Sequence, residues 1–279
     1  MTAFSDGGNI PLSSPRTYSA DEVNMDLTMC GLLPERAGEL AQLYREHGNW
    51  NQVKEIWFEE RRANRSTKGS SQKIYRVLTS RFKNSPTGLP NPHDIPVILE
   101  ACTTPQDSAQ ALYPYLVADD ALVHYVVREY VQRLSGEYPD PLDFSNETLT
   151  TILSRLEYED GTTFDYAEST TKRWCEGFRS VMREIGVLKS QQTVVGAPPS
   201  LGEIPLLVAM GYSWRNDGEE WLESPLGLQY LFQPSERWPE LYDRAADTDT
   251  WEYVELHGSL QLRPTKEPHS WIAQTEREL

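Results

Sequence analysis

The chain has 279 residues, with 42 acidic side chains against 26 Lys and Arg and a formal net charge of −16. This length can bury a sizeable core in one large domain or two small ones. The negative charge excludes a surface that is basic throughout, so any contact with a polyanion has to come from a local basic patch.

Residues 1–20 are rich in Ser, Gly and Pro and lack the charged and apolar segments of a secretory signal. We therefore expect a flexible tail there. No apolar run reaches the roughly 20 residues of a membrane span. The three cysteines, Cys30, Cys102 and Cys175, lie far apart and form no CxxC pair. This pattern predicts reduced core residues in a cytoplasmic protein.

Helical periodicity dominates from the tail to about residue 188. An apolar face recurs in the segments around 40–44, 49–57, 70–82, 107–119, 120–136, 145–156 and 169–186. Asn49 and Ser145 are suitable N-caps, and Ser169 or Thr170 is expected to cap the last of these helices. Gly186 is expected to end that helix in the left-handed conformation.

The composition changes after residue 189, where a Gly- and Pro-containing crossing leads to short helices at 204–210 and 235–246. The stretch WEYVELHGSLQLRP then predicts two strands with a turn at His257-Gly258. We therefore predict a mainly α protein with a flexible tail (1–20), a helical bundle (21–189) and a smaller C-terminal α+β extension (190–279) that contains a short β-hairpin.

One stretch, RRANRSTKGSSQKIYRVLTSRFK, has eight basic residues and no acidic one, which leaves 18 basic residues outside it against all 42 acidic residues. Its first part is a polar loop that leads into a helix, and such a loop offers backbone N–H groups and hydroxyls to phosphate. Arg81 projects into the apolar sector and is left out of the candidate set. The candidate DNA-binding residues in this stretch are Arg61, Arg62, Arg65, Lys68, Lys73, Arg76 and Lys83.

A second, weaker patch lies on the helix at 169–186, where Lys172, Arg179 and Arg183 project opposite the Trp174/Phe178 stripe. Glu176 lies close to that side. If this helix packs beside the one at 70–82, the two basic faces form one groove wall. A solvated surface neutralised by acidic neighbours is the alternative for both patches.

Signatures of catalysis are absent: the sequence has no phosphate-binding loop, no GxGxxG, no HExxH and no GxSxG. The five histidines do not pair at metal-ligand spacing. We expect His124 to be a core residue, and we expect His93-Asp94 to form a turn or helix cap rather than a catalytic pair. The sequence predicts no catalytic residue, cofactor or metal.

Three blocks of the chain resemble the BrxA family, the small accessory proteins of BREX bacteriophage-defence systems. They are CGLLPERAGELAQLYREHGNWNQVKEIWFEERRANRSTKGSSQKIYRVLTSRF, LVADDALVHYVVREYVQRL and STTKRWCEGFRSVMREIGVL, and a weaker likeness continues through PLGLQYLF and the strand pair. Together they cover most of residues 26–263. The resemblance implies a bundle similar to the NusB fold, binding of double-stranded DNA, no enzymatic activity, and work beside the system's methyltransferase, ATPase and phosphatase-like components.

These observations leave three hypotheses. The first is a non-catalytic accessory protein that contacts the backbone of double-stranded DNA through the basic patch. The second is a protein-interaction scaffold of the same defence complex, whose basic stretch docks an acidic partner and which does not bind DNA directly. The third is a hydrolase or nuclease of unrecognised type.

Overall fold

The computed structural model describes residues 17–28, 30–63, 67–86, 88–134, 141–217, 221–256 and 259–266. Within these ranges the chain forms eleven α-helices and two small antiparallel sheets of two strands each. The helices are α1 (Pro34–His47), α2 (Trp50–Glu59), α3 (Lys68–Lys83), α4 (Ile95–Ala101), α5 (Pro105–Asp119), α6 (Ala121–Leu134), α7 (Asn146–Leu153), α8 (Glu168–Glu184), α9 (Glu203–Asn216), α10 (Leu226–Tyr230) and α11 (Trp238–Ala246). The strands are β1 (Leu142–Asp143), β2 (Val195–Gly196), β3 (Trp251–Leu256) and β4 (Ser259–Pro264).

The predicted class, mainly α with a small β-hairpin near the C-terminus, is confirmed. Strands β3 and β4 pair from Trp251 with Pro264 to Leu256 with Ser259, and the predicted turn at 257–258 lies outside the described residues. Helix α4 was not predicted, because Pro96 occurs in a proline-rich stretch. Proline is tolerated in the first turn of a helix, where its missing N–H leaves no bond unmade. None of the described helices is both long and apolar enough to span a bilayer.

The predicted helix ends are partly confirmed. The side chain of Asn49 accepts hydrogen bonds from two N–H groups of α2, and that of Ser145 accepts from Thr148 N–H. Gly186 follows α8 with φ of +83°. The cap predicted at Ser169 or Thr170 is wrong: the carbonyl of Ala167 already accepts the N–H of Thr170, so the helix begins before either residue.

Helix α5 is the centre of the molecule. Every residue from 109 to 117 is buried, and the helix contacts α1, α3, α4, α6, α8, α9 and α10. Such burial on all sides explains why its sequence shows little amphipathic contrast. The aromatic rings of Tyr130, Phe144, Phe178 and Phe232 join this core to the segment after residue 190, and the buried side chains of both parts form one cluster.

Candidate nucleic-acid interface

Helices α2 and α3 form an antiparallel pair on the surface. The hydroxyl of Tyr75 on α3 donates to the carbonyl of Trp50 at the start of α2, 2.9 Å away. At the far end of α3, Lys83 Nζ lies 5.6 Å from the centre of the Trp50 ring. Burial raises the pKa of Tyr75, and the neighbouring Thr79 side chain acts in the opposite direction. The Tyr75 hydroxyl therefore stays neutral and holds the two helices in register.

A groove of about 560 Å³ runs between the two helices. Apolar and aromatic groups form its floor, and cationic and amide side chains form its rim. Although the chain is strongly acidic, none of the described residues that line this groove is acidic. The lining comprises Lys54 and Phe58 of α2, together with Gln72, Tyr75, Arg76, Thr79, Ser80, Lys83 and Asn84.

The loop after α2 presents Arg61 in an unusual conformation. Arg61 N–H bonds the carbonyl of Phe58 and Arg62 N–H bonds that of Trp57, which is the hydrogen-bond pattern of a Schellman cap. This pattern requires a left-handed residue, and Arg61 has φ of +54°. Glycine is usual at such a position, because a side chain there costs about 1 kcal/mol. The fold therefore keeps an exposed Arg where glycine is sterically favoured.

Carboxylates occupy part of the predicted basic patch. Asp26 lies 3.1 Å from Lys73 Nζ and 2.8 Å from an Arg76 guanidinium nitrogen, and the Nε of Arg62 donates to Glu60 at 2.7 Å. Two thirds of the Arg76 side chain is nevertheless exposed, against a quarter of the Lys73 side chain. Arg76 therefore remains available to a ligand, whereas Lys73 is mostly covered.

Of the four remaining predicted residues in the basic stretch, three are exposed and one is not described by the structure. Arg61, Lys68 and Lys83 are exposed, and within the described part of the chain none of them forms an ion pair. Arg65 lies outside the described residues. Lys54 and Phe58 were missed because they precede the basic stretch, although their i, i+4 spacing on α2 places both on the side that faces α3.

Arg81, which was left out of the candidate set, is buried. Its guanidinium donates to the carbonyls of Gly31 at 2.7 Å and Cys30 at 3.2 Å. Desolvation lowers the pKa of Arg81, and the nearby carboxylates of Asp119 and Asp120 act in the opposite direction. Arg81 therefore holds the segment before α1 against α3 and takes no part in the exposed patch.

Residues 26–28 and 30–32 contact both α3 and α8, and they meet α8 on the side away from its predicted basic face. The carbonyl of Leu27 lies so close to Gly177 of α8 that no Cβ would fit there. On the α3 side, Asp26 pairs with Arg76, and the carbonyl of Gly31 accepts a hydrogen bond from Arg81. On α8, Lys172 is exposed and Arg179 and Arg183 are half-buried. Arg173, which is not among the predicted residues, is also exposed.

An acidic cleft of about 320 Å³ lies on the other side of α3, and Arg76 lines it as well as the groove. Its carboxylates are those of Glu22, Asp26, Asp119 and Asp120. Burial raises the pKa of Asp119, which accepts a hydrogen bond from Ser80, and raises that of Asp120 to about 6. The described residues contain no group of three or more His, Cys, Asp or Glu suited to a metal ion.

Two histidines and the three cysteines are the other residues with side chains suited to catalysis. His124 is buried, as expected, and its Nδ1 lies 2.9 Å from the Tyr18 hydroxyl. His93 is exposed, with its Nδ1 3.5 Å from Asp94. Cys30 and Cys175 are buried, which confirms them as core residues, and Cys102 is half-buried. Burial raises the pKa of Cys102 to about 11 and also raises that of Cys175, so both thiols remain protonated at neutral pH.

No protein-family model matches the sequence, and no curated protein matches it. One solved structure is similar, that of an uncharacterized protein from Magnetospirillum magneticum, with a TM-score of 0.54 and 12% sequence identity. The likeness covers 74% of this chain and 99% of the other. It shows that the two proteins share a fold.

Proposed function

We propose that this chain is a non-catalytic accessory protein of a BREX-type anti-phage system that binds the backbone of double-stranded DNA through the rim of the α2–α3 groove. It would work in a reducing cytoplasm, beside the system's methyltransferase, ATPase and phosphatase-like components. The observation that carries the proposal is a cationic groove without carboxylates on a chain of net charge −16.

The rim provides the groups that phosphate binding needs. Lys54, Arg76 and Lys83 supply positive charge along both helices, and the amide of Gln72 is a neutral donor beside them. Arg61 and Lys68 extend the charge towards the start of α3, where Thr67 caps the helix. Contacts of this kind position a protein on DNA without reading the bases, so we expect little sequence preference.

A protein-interaction scaffold is the second candidate, and one contact favours it. Asp26 already places a carboxylate between Lys73 and Arg76 at hydrogen-bond distance. The same face can therefore bind an acidic segment of a partner protein by the same geometry. In that case the groove would prefer carboxylates and bind DNA only weakly.

The test is fluorescence anisotropy of a labelled duplex across a salt series. The groove variant carries Lys54→Gln, Arg76→Gln and Lys83→Gln. Because binding to each phosphate releases counterions, we expect the log–log slope to fall by roughly 0.9 for each lost contact, or about 2.7 in total. The matched control carries Arg155→Gln, Lys189→Gln and Arg263→Gln, which remove the same charge from exposed positions elsewhere.

The comparison of these variants separates the two candidates. Loss of duplex binding in the groove variant but not in the control, with unchanged circular dichroism, would support the DNA-binding proposal. An equal loss in both variants would mean that only net charge matters. If the wild type does not bind duplex even at low salt, the scaffold candidate takes its place.

A further inference from the structure

We infer that the α2–α3 groove accepts an unstacked nucleotide, so that DNA with an unpaired segment is a better ligand than a perfect duplex. This inference rests on the proposed function and identifies the form of DNA that fits the same groove. The observation behind it is the pairing of a cationic rim with an aromatic floor in a groove of about 560 Å³.

A duplex explains only half of this groove. Phosphates on the outside of a duplex can reach Lys54, Arg76 and Lys83 on the rim, but stacked bases cannot enter between the two helices. The floor would then be an exposed apolar surface without a ligand. Sites for single-stranded nucleic acid combine a cationic track with aromatic side chains on which bases stack, and that combination is present here.

Phe58 is the ring that a base can reach. It is half-buried, and its closest aromatic neighbour is Tyr75, with centroids 5.4 Å apart and planes at 52°. The ring of Trp50, by contrast, is stacked on Tyr44 at 4.2 Å and lies under Lys83. Trp50 therefore supports the groove, whereas Phe58 leaves aromatic surface open to a ligand.

Gln72 provides a polar group for the edge of such a base. It is exposed, and its amide has no hydrogen-bond partner within the described part of the chain. Ser80 is different, because its hydroxyl is engaged with Asp119. A glutamine amide both donates and accepts, and it therefore matches the edge of any base without strong selection.

The test compares three probes that share one labelled strand: the single strand, the full duplex, and a duplex with an unpaired central segment. We expect the two probes with unpaired bases to bind at least fivefold more tightly than the duplex, as expected for one stacked base. Phe58→Leu removes the ring but keeps an apolar side chain, and it should lower the affinity for the two probes with unpaired bases until it equals the affinity for the duplex. Phe164→Leu, at another half-buried aromatic position, is the matched control.

A second measurement uses the wild-type protein, so it does not depend on how a variant folds. A single strand containing 5-iododeoxyuridine is irradiated in the complex, and the cross-linked peptide is identified by mass spectrometry. We expect cross-links at Phe58 or Tyr75. Equal affinity for all three probes, or cross-links only outside α2 and α3, would overturn this inference and leave the duplex proposal standing. Failure of every probe to bind would overturn both.

Discussion

Both sides of α3 carry cationic side chains, but the two sides differ in whether carboxylates of the same chain lie next to them. On the α2 side, cations surround a groove whose described lining contains no carboxylate. On the other side, Lys73 pairs with Asp26, and Arg81 lies near Asp119 and Asp120 in an acidic cleft. One side is suited to an external anion, and the other uses its cations to hold the molecule together. A basic stretch of sequence is therefore not the same as a basic surface, because neighbours distant in sequence decide which charges remain exposed.

The largest effect is expected at Arg81, on the cleft side. Arg81→Met keeps the length of the side chain but removes the donors to Cys30 and Gly31 and leaves the nearby carboxylates without compensating charge. We expect a loss of about 3–5 kcal/mol in the free energy of unfolding, measured with urea.

The matched substitution is Arg76→Met on the same helix. Its exposed ion pair with Asp26 should contribute about 1 kcal/mol or less to stability, whereas its loss should weaken DNA binding. Similar stabilities for the two variants would contradict the distinction between the two sides of α3.

The next effect depends on pH and involves Asp120, which accepts hydrogen bonds from the N–H groups of Leu122 and Val123 at the start of α6. Burial raises its pKa to about 6 from an ordinary value of 3.8. The folded state thus holds this proton more tightly than the unfolded chain, so the free energy of unfolding should fall as the pH rises from about 4 to about 6.

Asp120→Asn keeps the oxygen that accepts both hydrogen bonds but cannot ionise. Through that pH range its stability should fall less steeply than that of the wild type, with a gain of up to about 3 kcal/mol at neutral pH. Burial raises the pKa of Asp217 to about 7. In Asp217→Asn, the free energy of unfolding should therefore fall less steeply than in the wild type up to about pH 7. Identical pH profiles for wild type and Asp120→Asn would show that this carboxyl does not titrate as inferred.

A smaller effect is expected at Asp26, which lines the cleft and pairs with Arg76, a residue that also lines the groove. Asp26→Asn releases Lys73 and Arg76 from their shared carboxylate. Duplex affinity should rise about fivefold at low salt, and stability should fall by about 1 kcal/mol or less. Asp21→Asn, at an exposed position five residues earlier in the chain, makes the same change in net charge. An equal gain in affinity from both variants would mean that Asp26 does not restrain the groove.

Much of the fold follows from local patterns in the sequence. The cap at Asn49, the apolar face of α3 and the stop at Gly186 all act within a few residues, and the structure contains each of them. Helix α4 was missed because prolines usually mark a loop, and the start of α8 was misplaced because Ala167 begins the helix without a side-chain cap.

The candidate site was harder to predict, because its decisive contacts join distant parts of the chain. Asp26 reaches Arg76 across fifty positions of sequence, and no local pattern indicates that pair. Lys54 and Phe58 contribute to the groove only because α2 packs antiparallel to α3. The charge pattern therefore marks α3 as a basic helix, but it does not indicate which of its charges remain exposed, nor the aromatic side chains of the groove.

The smallest expected effect has opposite signs for stability and binding. Arg61 occupies the left-handed position of the cap after α2, so Arg61→Gly should relieve strain and raise the free energy of unfolding by up to about 1 kcal/mol. The same change removes an exposed cation next to the groove and should weaken duplex binding by roughly threefold, with a shallower salt slope. Arg62→Gly is the control, because it also removes a cation but does not occupy a left-handed position. A variant that is more stable yet binds less well would show that the strained arginine serves the ligand rather than the fold. If binding is unchanged, the contact surface ends at α3 and does not include the loop before it.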